Sequence, residues 1–349
     1  MNTYRVALSG DFLTPDGSPA YPSFDLSPLE KAPNLEYSYL PNNTVIQADA
    51  LEGFDALILL AARFRRESIP GDGKLSAVAR FGVGFDSVDV PACTDNHVAL
   101  VTTPDGVRRP VAVAIITMML ALTGRLKQKD RITRQGPKGW AKRSDLMGVG
   151  LVGKTLGSIG IGNIGAEMFR MAKPFDMNYV AYDPYADPKI AESLGVDLVK
   201  LDDVFEKSDI VTINCPLNDD TKGIVSADKL SRMKPTAFLI NTARGPIVDQ
   251  KALTDVLKQG GIAGAGLDVF DQEPTSDDEP LAELDNVIMT PHALCWTEQC
   301  FGGIGAADLK AVLDIMHGKL PVGIVNNEII EDTVWQEKLS SYRESFGAG

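Results

Sequence analysis

Leu156-Gly157-Ser158-Ile159-Gly160-Ile161-Gly162-Asn163-Ile164-Gly165 is the stretch that decides how this chain is read. A strand-like run enters three glycines spaced G-x-G-x-x-G. Beyond them Ile164, Met168, Met171, Ala172 and Phe175 fall on one helical face. Glycines alone are common in turns, but a strand entering and an amphipathic helix leaving make this a phosphate-binding turn. Gly160 permits the tight bend, Gly162 lets the backbone approach a pyrophosphate without a Cβ in the way, and Gly165 allows the helix to pack closely on the strand. Amides at the helix start, near Asn163 and Ile164, are the expected phosphate donors, because a first helical turn lacks intrahelical acceptors. Eighteen residues past Gly165, Asp183 closes the next apolar run, Tyr179–Tyr182. A carboxylate there accepts hydrogen bonds from ribose hydroxyls and repels a 2′-phosphate, which predicts NAD rather than NADP. The plain alternative is a glycine-rich connection followed by a capping Asp.

Outward from this turn the same alternation continues. Strand-like runs recur at Ile210–Asn214, Ala237–Asn241, Ala265–Val269 and Val287–Met289, with helical stripes such as Leu253, Val256 and Leu257 between them. Before the turn, Tyr4–Ser9, Ala56–Leu60, Ala77–Arg80 and Ala99–Thr102 read as buried strands. Val111–Leu122 reads as an apolar helix closed by Gly124, too short to span a bilayer and placed to bridge two domains. Strands alternating with helices imply an α/β fold with parallel sheets covered on both faces. A last helix is expected over about 301–316, then a polar tail from about Thr333 that extends or docks elsewhere.

Length and charge narrow the class. At 349 residues the chain suits two domains. A net charge of −13 disfavours nucleic acid and anionic membranes as partners, while a local arginine cluster still allows an anionic substrate. The start of the chain shows no targeting segment. Cys93, Cys215, Cys295 and Cys300 form no CxxC pair, so we expect buried thiols in a reducing cytoplasm, and no metal site.

Histidine is the usual acid–base group near neutral pH, and there are only three. His97 falls in a turn and His317 at a helix C-terminus. His292 follows the run Val287–Met289, beyond the carboxyl end of a parallel strand, where doubly wound folds place ligands. Arg244 follows Leu239-Ile240-Asn241-Thr242-Ala243, and Glu273 follows Asp268-Val269-Phe270. By position alone, a structural loop histidine, a surface ion pair and a solvated acidic loop explain the three equally well.

In their order these segments resemble the D-isomer-specific 2-hydroxyacid dehydrogenase family. The motifs are Gly82-Val83-Gly84-Phe85-Asp86, the glycine turn, Cys215-Pro216-Leu217, Asn241-Thr242-Ala243-Arg244-Gly245, Asp268-Val269-Phe270 with Glu273-Pro274, and Pro291-His292. The resemblance covers about residues 50–325. It implies that Arg244 binds the substrate carboxylate and polarises the 2-keto oxygen, and that His292 exchanges a proton with that oxygen. It implies that Glu273 orients His292 and stabilises its protonated form. Backbone amides at Val83 and Gly84 would form an anion nest for the carboxylate. Cys215, Pro216, Thr242 and Ala243 would line the cofactor, and Asp268 would bond the nicotinamide carboxamide. The resemblance also implies two Rossmann-like doubly wound domains, the NAD-binding one (110–302) inserted into a flavodoxin-like substrate domain (1–109 and 303–332), with 333–349 as a tail. A cleft closing between them and a homodimer complete the expectation.

Two departures bear on the substrate. The family's Val-Ala-Glu at the bridging helix is Val111-Ala112-Val113 here, and Ala293-Leu294-Cys295-Trp296 follows the histidine. Arg63, Arg65, Arg66, Arg108 and Arg109 stand on loops that could meet a second anionic or polyhydroxylated end, as in glycerate or phosphoglycerate; solvent-facing charges are the plain alternative. The chain runs only to Gly349 after Asn326-Asn327, so no appended regulatory domain is expected. Two competing readings are an NAD-sensing, non-catalytic interaction protein on the same fold, and a relative acting on a one-carbon donor such as formate.

Overall fold

All paired strands run parallel, in two separate sheets, across residues 2–347, which the computed structural model describes. The first sheet holds β1 (Tyr4–Leu8), β2 (Leu35–Tyr39), β3 (Ala56–Leu59), β4 (Ala77–Arg80) and β5 (Ala99–Thr102), in the order β2-β1-β3-β4-β5. That is the flavodoxin-like order. The second holds β6 (Thr155–Ile159), β7 (Asn178–Tyr182), β8 (Asp197–Leu198), β9 (Ile210–Ile213), β10 (Phe238–Asn241), β11 (Gly264–Leu267) and β12 (Val287–Met289). Its order is β12-β11-β10-β9-β6-β7-β8, the Rossmann pattern extended by one strand. The inner strands read as largely apolar runs because both of their faces are covered. The two strands that sequence reading missed, β2 and β8, are sheet edges. β2 alternates between half-buried and exposed residues and β8 is exposed throughout, so neither carries an apolar run.

The chain forms two compact units, one of residues before Arg108 together with those from Thr297 onward, the other Arg108–Trp296. The second seam falls before the expected 302/303 division, because the helix Glu298–Met316 starts there and packs on β4 and β5. The apolar helix is longer than its apolar run. It spans Pro104–Thr123, 20 residues with Pro110 inside it, which is long enough to cross a bilayer and corrects the expectation drawn from Val111–Leu122. Its Ala112, Ile115, Met118, Met119 and Leu122 lie in the core of the second unit, packed with Leu156, Met168 and Phe169.

The expected tail is no tail. Thr333–Phe346 is a helix, N-capped by the Asp332 carboxylate, which accepts from the Trp335 amide. Trp335 is fully buried, and its Nε1 donates to the Ser76 carbonyl at 2.9 Å. Lys338 Nζ donates to the Leu75 carbonyl at 2.8 Å, and Tyr342 Oη to Asp55 Oδ1 at 3.0 Å. The Tyr4 ring meets the Tyr342 ring edge-on at 5.1 Å. Trp335, Leu339, Tyr342 and Phe346 form one helical stripe, and the polar residues between them hide it in the composition.

Asp308, on the helix Glu298–Met316, is fully buried, and neither carboxylate oxygen has a hydrogen-bond partner among the described residues. Burial drives its carboxyl well above the usual range, against the smaller pull of the Arg80 charge. When a folded-state carboxyl is raised, stability is intact at low pH and is lost as pH climbs past the unfolded value. Asp308→Asn keeps the shape of the protonated acid but cannot ionise in either state. We therefore expect Tm at pH 8 to rise by about 3 °C or more, with the gain vanishing near pH 3. Scanning calorimetry at both pH values checks this; an equal change at both would show that Asp308 is not held protonated.

Candidate active site

The glycine turn sits where β6 ends, at the point where the strand order reverses between β6 and β9. Gly160 has φ +99°, a conformation that side chains other than glycine's rarely adopt. A Cβ on Gly165 would lie 2.5 Å from the Gly160 carbonyl oxygen, whereas one on Gly162 would meet nothing within 4 Å. Glycine is thus required at 165 by close packing, and the space beside Gly162 stays open. The helix Asn163–Ala172 begins here with no side-chain cap. Its first backbone bond runs from the Ala166 amide to the Gly162 carbonyl, so the amides of Asn163 and Ile164 have no acceptor among the described residues. Asp183, at the end of β7, accepts from the Ile161 amide through Oδ2 and from the Tyr185 amide through Oδ1, each at 2.9 Å.

Two buried polar atoms on the neighbouring strand ends, Asn214 Oδ1 after β9 and Thr242 Oγ1 after β10, lack partners among the described residues. Unsatisfied buried acceptors and hydroxyls are costly unless a ligand completes them. With the free helix amides and the open face of Gly162, they fit the dinucleotide that the sequence predicts. Ala243, half-buried, and Pro216, exposed, lie on the same two strand exits. Cys215 is half-buried too, and burial pushes its thiol up to about 11, so it is a neutral thiol at physiological pH. Asn214 and Ser158 escaped the sequence reading. The one usable signal was a polar side chain within or just after an otherwise apolar strand: the Ser158 hydroxyl in β6 and the Asn214 carboxamide after β9.

Beyond β10, β11 and β12 stand the three residues expected to carry the chemistry. Asn241, buried at the end of β10, shapes the Arg244 turn: its Nδ2 donates to the Arg244 carbonyl at 2.8 Å and its Oδ1 accepts from the Ala243 amide at 3.0 Å. A Cβ at Gly245 would lie 2.0 Å from the Phe270 backbone, so the Arg244 turn and the Glu273 loop interlock. Arg244 is half-buried, and its Nη1 donates to the Ala243 carbonyl at 2.7 Å.

His292 Nδ1 donates to Glu273 Oε2 at 2.8 Å, and Glu273 Oε1 accepts from the Phe270 amide at 2.9 Å. Burial alone would raise the Glu273 carboxyl. The His292 bond and charge, the Phe270 amide and the Arg244 charge together outweigh it and hold the group below the usual carboxylate range. The second ring nitrogen of His292, Nε2, has no partner among the described residues. Its backbone sits at φ +53°, strained for a non-glycine residue. Asp268 holds that strain in place: Oδ1 accepts from Thr290 Oγ1 at 2.6 Å and from the amides of Ala293 at 3.0 Å and Leu294 at 3.2 Å. Much of the bonding capacity of Asp268 therefore goes to the His292 loop, a task that its expected contact with nicotinamide did not include.

Val83 and Gly84 follow β4 in the first unit. They are half-buried, and their amides have no acceptor among the described residues. Gly82 is pinned beneath them: its amide donates to Thr103 Oγ1 at 3.1 Å and its carbonyl accepts from the Thr103 amide at 2.9 Å. Of the loop arginines, Arg66 pairs with Asp95 at 2.6 Å and Arg109 pairs with Glu167 at 2.5 Å. Arg63 and Arg65 lie on the loop after β3, which runs alongside residues 87–89 through an isolated parallel bridge, Phe64 to Val88.

Residues 116–293 match the family described as D-isomer specific 2-hydroxyacid dehydrogenase, NAD binding domain. The chain is 36% identical to a glyoxylate reductase of Korarchaeum cryptofilum, over 83% of this chain and 88% of that one. It is also 36% identical to a D-3-phosphoglycerate dehydrogenase of Methanocaldococcus jannaschii, over 84% of this chain but only 55% of the relative, so it spans about half of that protein's length. A glyoxylate reductase structure from Paecilomyes thermophila superposes with a TM-score of 0.80 at 24% identity, covering 94% of this chain and 100% of that one, which shows the shared fold. Carrying this fold and this match over most of its length, the chain belongs to the D-isomer-specific 2-hydroxyacid dehydrogenase family and is an NAD-dependent 2-hydroxyacid dehydrogenase.

Proposed function

We propose that the protein interconverts a small D-2-hydroxy acid and its 2-keto acid, with a polyhydroxylated or anionic tail of the glycerate, hydroxypyruvate or phosphoglycerate kind. The observation that carries this reading is the trio at adjacent strand ends: a guanidinium, Arg244, whose charge acts on Glu273, and an imidazole, His292, whose inner nitrogen is committed to Glu273 at 2.8 Å. NADH, when bound, supplies the hydride. Arg244 presents the fork that grips the substrate carboxylate and draws electron density from the 2-keto oxygen. His292, held by Glu273, passes a proton from Nε2 to that oxygen and takes it back in the reverse direction. Glu273, its carboxyl held below the usual range, is a carboxylate near neutral pH and so balances the imidazolium. Within the first unit, the amides of Val83 and Gly84 fit a carboxylate as well.

Substrate choice is supported by relatives named for glyoxylate and for D-3-phosphoglycerate, and by Arg63 and Arg65 on the loop next to the Val83–Gly84 strand exit. The test is NADH oxidation with glyoxylate, pyruvate, hydroxypyruvate, 2-ketoglutarate and phosphohydroxypyruvate, run on the wild type and on Arg65→Ala. We expect the highest kcat/KM on hydroxypyruvate or phosphohydroxypyruvate. Arg65→Ala should raise KM for the anionic-tailed acid by roughly tenfold, the size of one lost charged contact, and leave glyoxylate within about twofold. Equal effects on both acids would remove Arg65 from the substrate site. Absence of turnover on every 2-keto acid would refute the substrate class. Among the described residues the four cysteines form no disulfide, which fits the reducing, cytoplasmic compartment expected from the sequence.

A further inference from the structure

Ser158 breaks the pattern of its own strand. It is fully buried in β6 between apolar Leu156 and Ile159, yet it carries a hydroxyl. That hydroxyl donates to the Gly160 carbonyl at 2.6 Å and accepts from Asn214 Nδ2 at 2.8 Å. Asn214 Nδ2 also donates to Thr212 Oγ1 at 3.0 Å, and Thr212 donates in turn to the Gly157 carbonyl at 3.1 Å. The proton directions close without conflict. Each hydroxyl has one proton and spends it on a carbonyl, so both bonds from Asn214 must come from its NH2 group. The relay ties the neighbouring strands β6 and β9 together directly beneath the glycine turn.

The Gly160 carbonyl and the Ile161 N–H belong to one peptide plane, so fixing the first fixes the direction of the second. The Ile161 N–H donates to Asp183 Oδ2 at 2.9 Å. A single rigid peptide therefore links the buried relay on its inner side to the Asp183 carboxylate on its outer side. Asp183 is otherwise steadied by the Tyr185 amide, which comes from its own turn.

We propose that Ser158 is a positioning residue for cofactor choice: through the Gly160–Ile161 peptide it holds Asp183 in the orientation that accepts the ribose hydroxyls of NADH and refuses the 2′-phosphate of NADPH. The proposal rests on the reading that Asp183 meets the ribose. Ser158→Ala leaves the buried Gly160 carbonyl without its donor and frees the peptide to rotate, so the carboxylate loses its inner anchor.

The test is equilibrium binding of NADH and of NADPH without substrate, followed by nucleotide fluorescence, in wild type, Ser158→Ala, Asp183→Ala and the double variant. In Ser158→Ala the Kd for NADH should rise roughly tenfold and that for NADPH by less than about threefold, so the preference narrows. In the Asp183→Ala background, Ser158→Ala should leave the NADH/NADPH ratio unchanged, because the serine acts through the aspartate. An equal loss for both nucleotides, or no loss, in Ser158→Ala overturns the proposal. An unchanged ratio in Asp183→Ala alone overturns the ribose reading beneath it, a separate and recognisable failure. Hydrogen exchange gives a readout independent of nucleotide: protection of the Ile161 amide should fall in Ser158→Ala, and retained protection would also overturn the proposal.

Discussion

His292→Gln is expected to lower kcat for 2-keto acid reduction by roughly a hundred- to ten-thousand-fold, the usual worth of a positioned general acid. The Kd for NADH should stay within about threefold of wild type, because His292 contacts Glu273 and its own loop rather than the glycine turn. Glutamine preserves a hydrogen bond to Glu273 but cannot move a proton at neutral pH. Glu273→Gln should cost less alone, and the double variant should be little worse than His292→Gln, since the pair acts as one unit through its 2.8 Å bond. Stopped-flow reduction with each variant measures this. Near-wild-type turnover in His292→Gln would remove it from the proton path, and additive losses in the double variant would show that Glu273 acts independently of it.

Trp335→Ala carries the largest expected effect on stability. The side chain is fully buried in the first unit, and its Nε1 is bonded to the Ser76 carbonyl at 2.9 Å. Truncating a buried Trp costs about 3–5 kcal/mol, from lost transfer energy and the cavity left behind. Here the Ser76 carbonyl at the entry to β4 also loses one of its two donors, keeping the Ala99 amide at 2.9 Å. The first unit should melt roughly 10 °C lower, while NADH binding below that temperature persists, because the glycine turn belongs to the other unit. Thermal unfolding followed by near-ultraviolet circular dichroism, with and without NADH, checks both parts. A shift below about 2 °C would mean that the helix Thr333–Phe346 is an accessory rather than part of the core.

Much was legible before any coordinates. The inner strands β6, β9, β10 and β11 announced themselves as largely apolar runs, because inner parallel strands bury both faces, and the short edge strand β12 read the same way. The glycine spacing and Asp183 followed from the needs of a pyrophosphate and a ribose, and the motif order pointed to Arg244, Glu273 and His292. The edge strands β2 and β8 were illegible because they bury little, β2 alternating and β8 exposed throughout, whereas the edge strands β5 and β12 kept apolar runs. The helix Thr333–Phe346 was misread because its stripe of Trp335, Leu339 and Tyr342 is diluted by polar residues, and composition averages over the period that matters.

What the chain's order of residues determined by itself is therefore the reaction class and the cofactor, since these depend on residue types that must stand at fixed spacing around a strand end. What only the tertiary structure decided is how those residues are held. The pairing of His292 with Glu273 spans nineteen positions, the grip of Asp268 on the His292 loop spans more than twenty, and the bond from Asn214 to Ser158 spans fifty-six. Hydrogen bonds of this reach have no local signature, because a polar side chain looks the same in sequence whether it faces water or completes a buried relay.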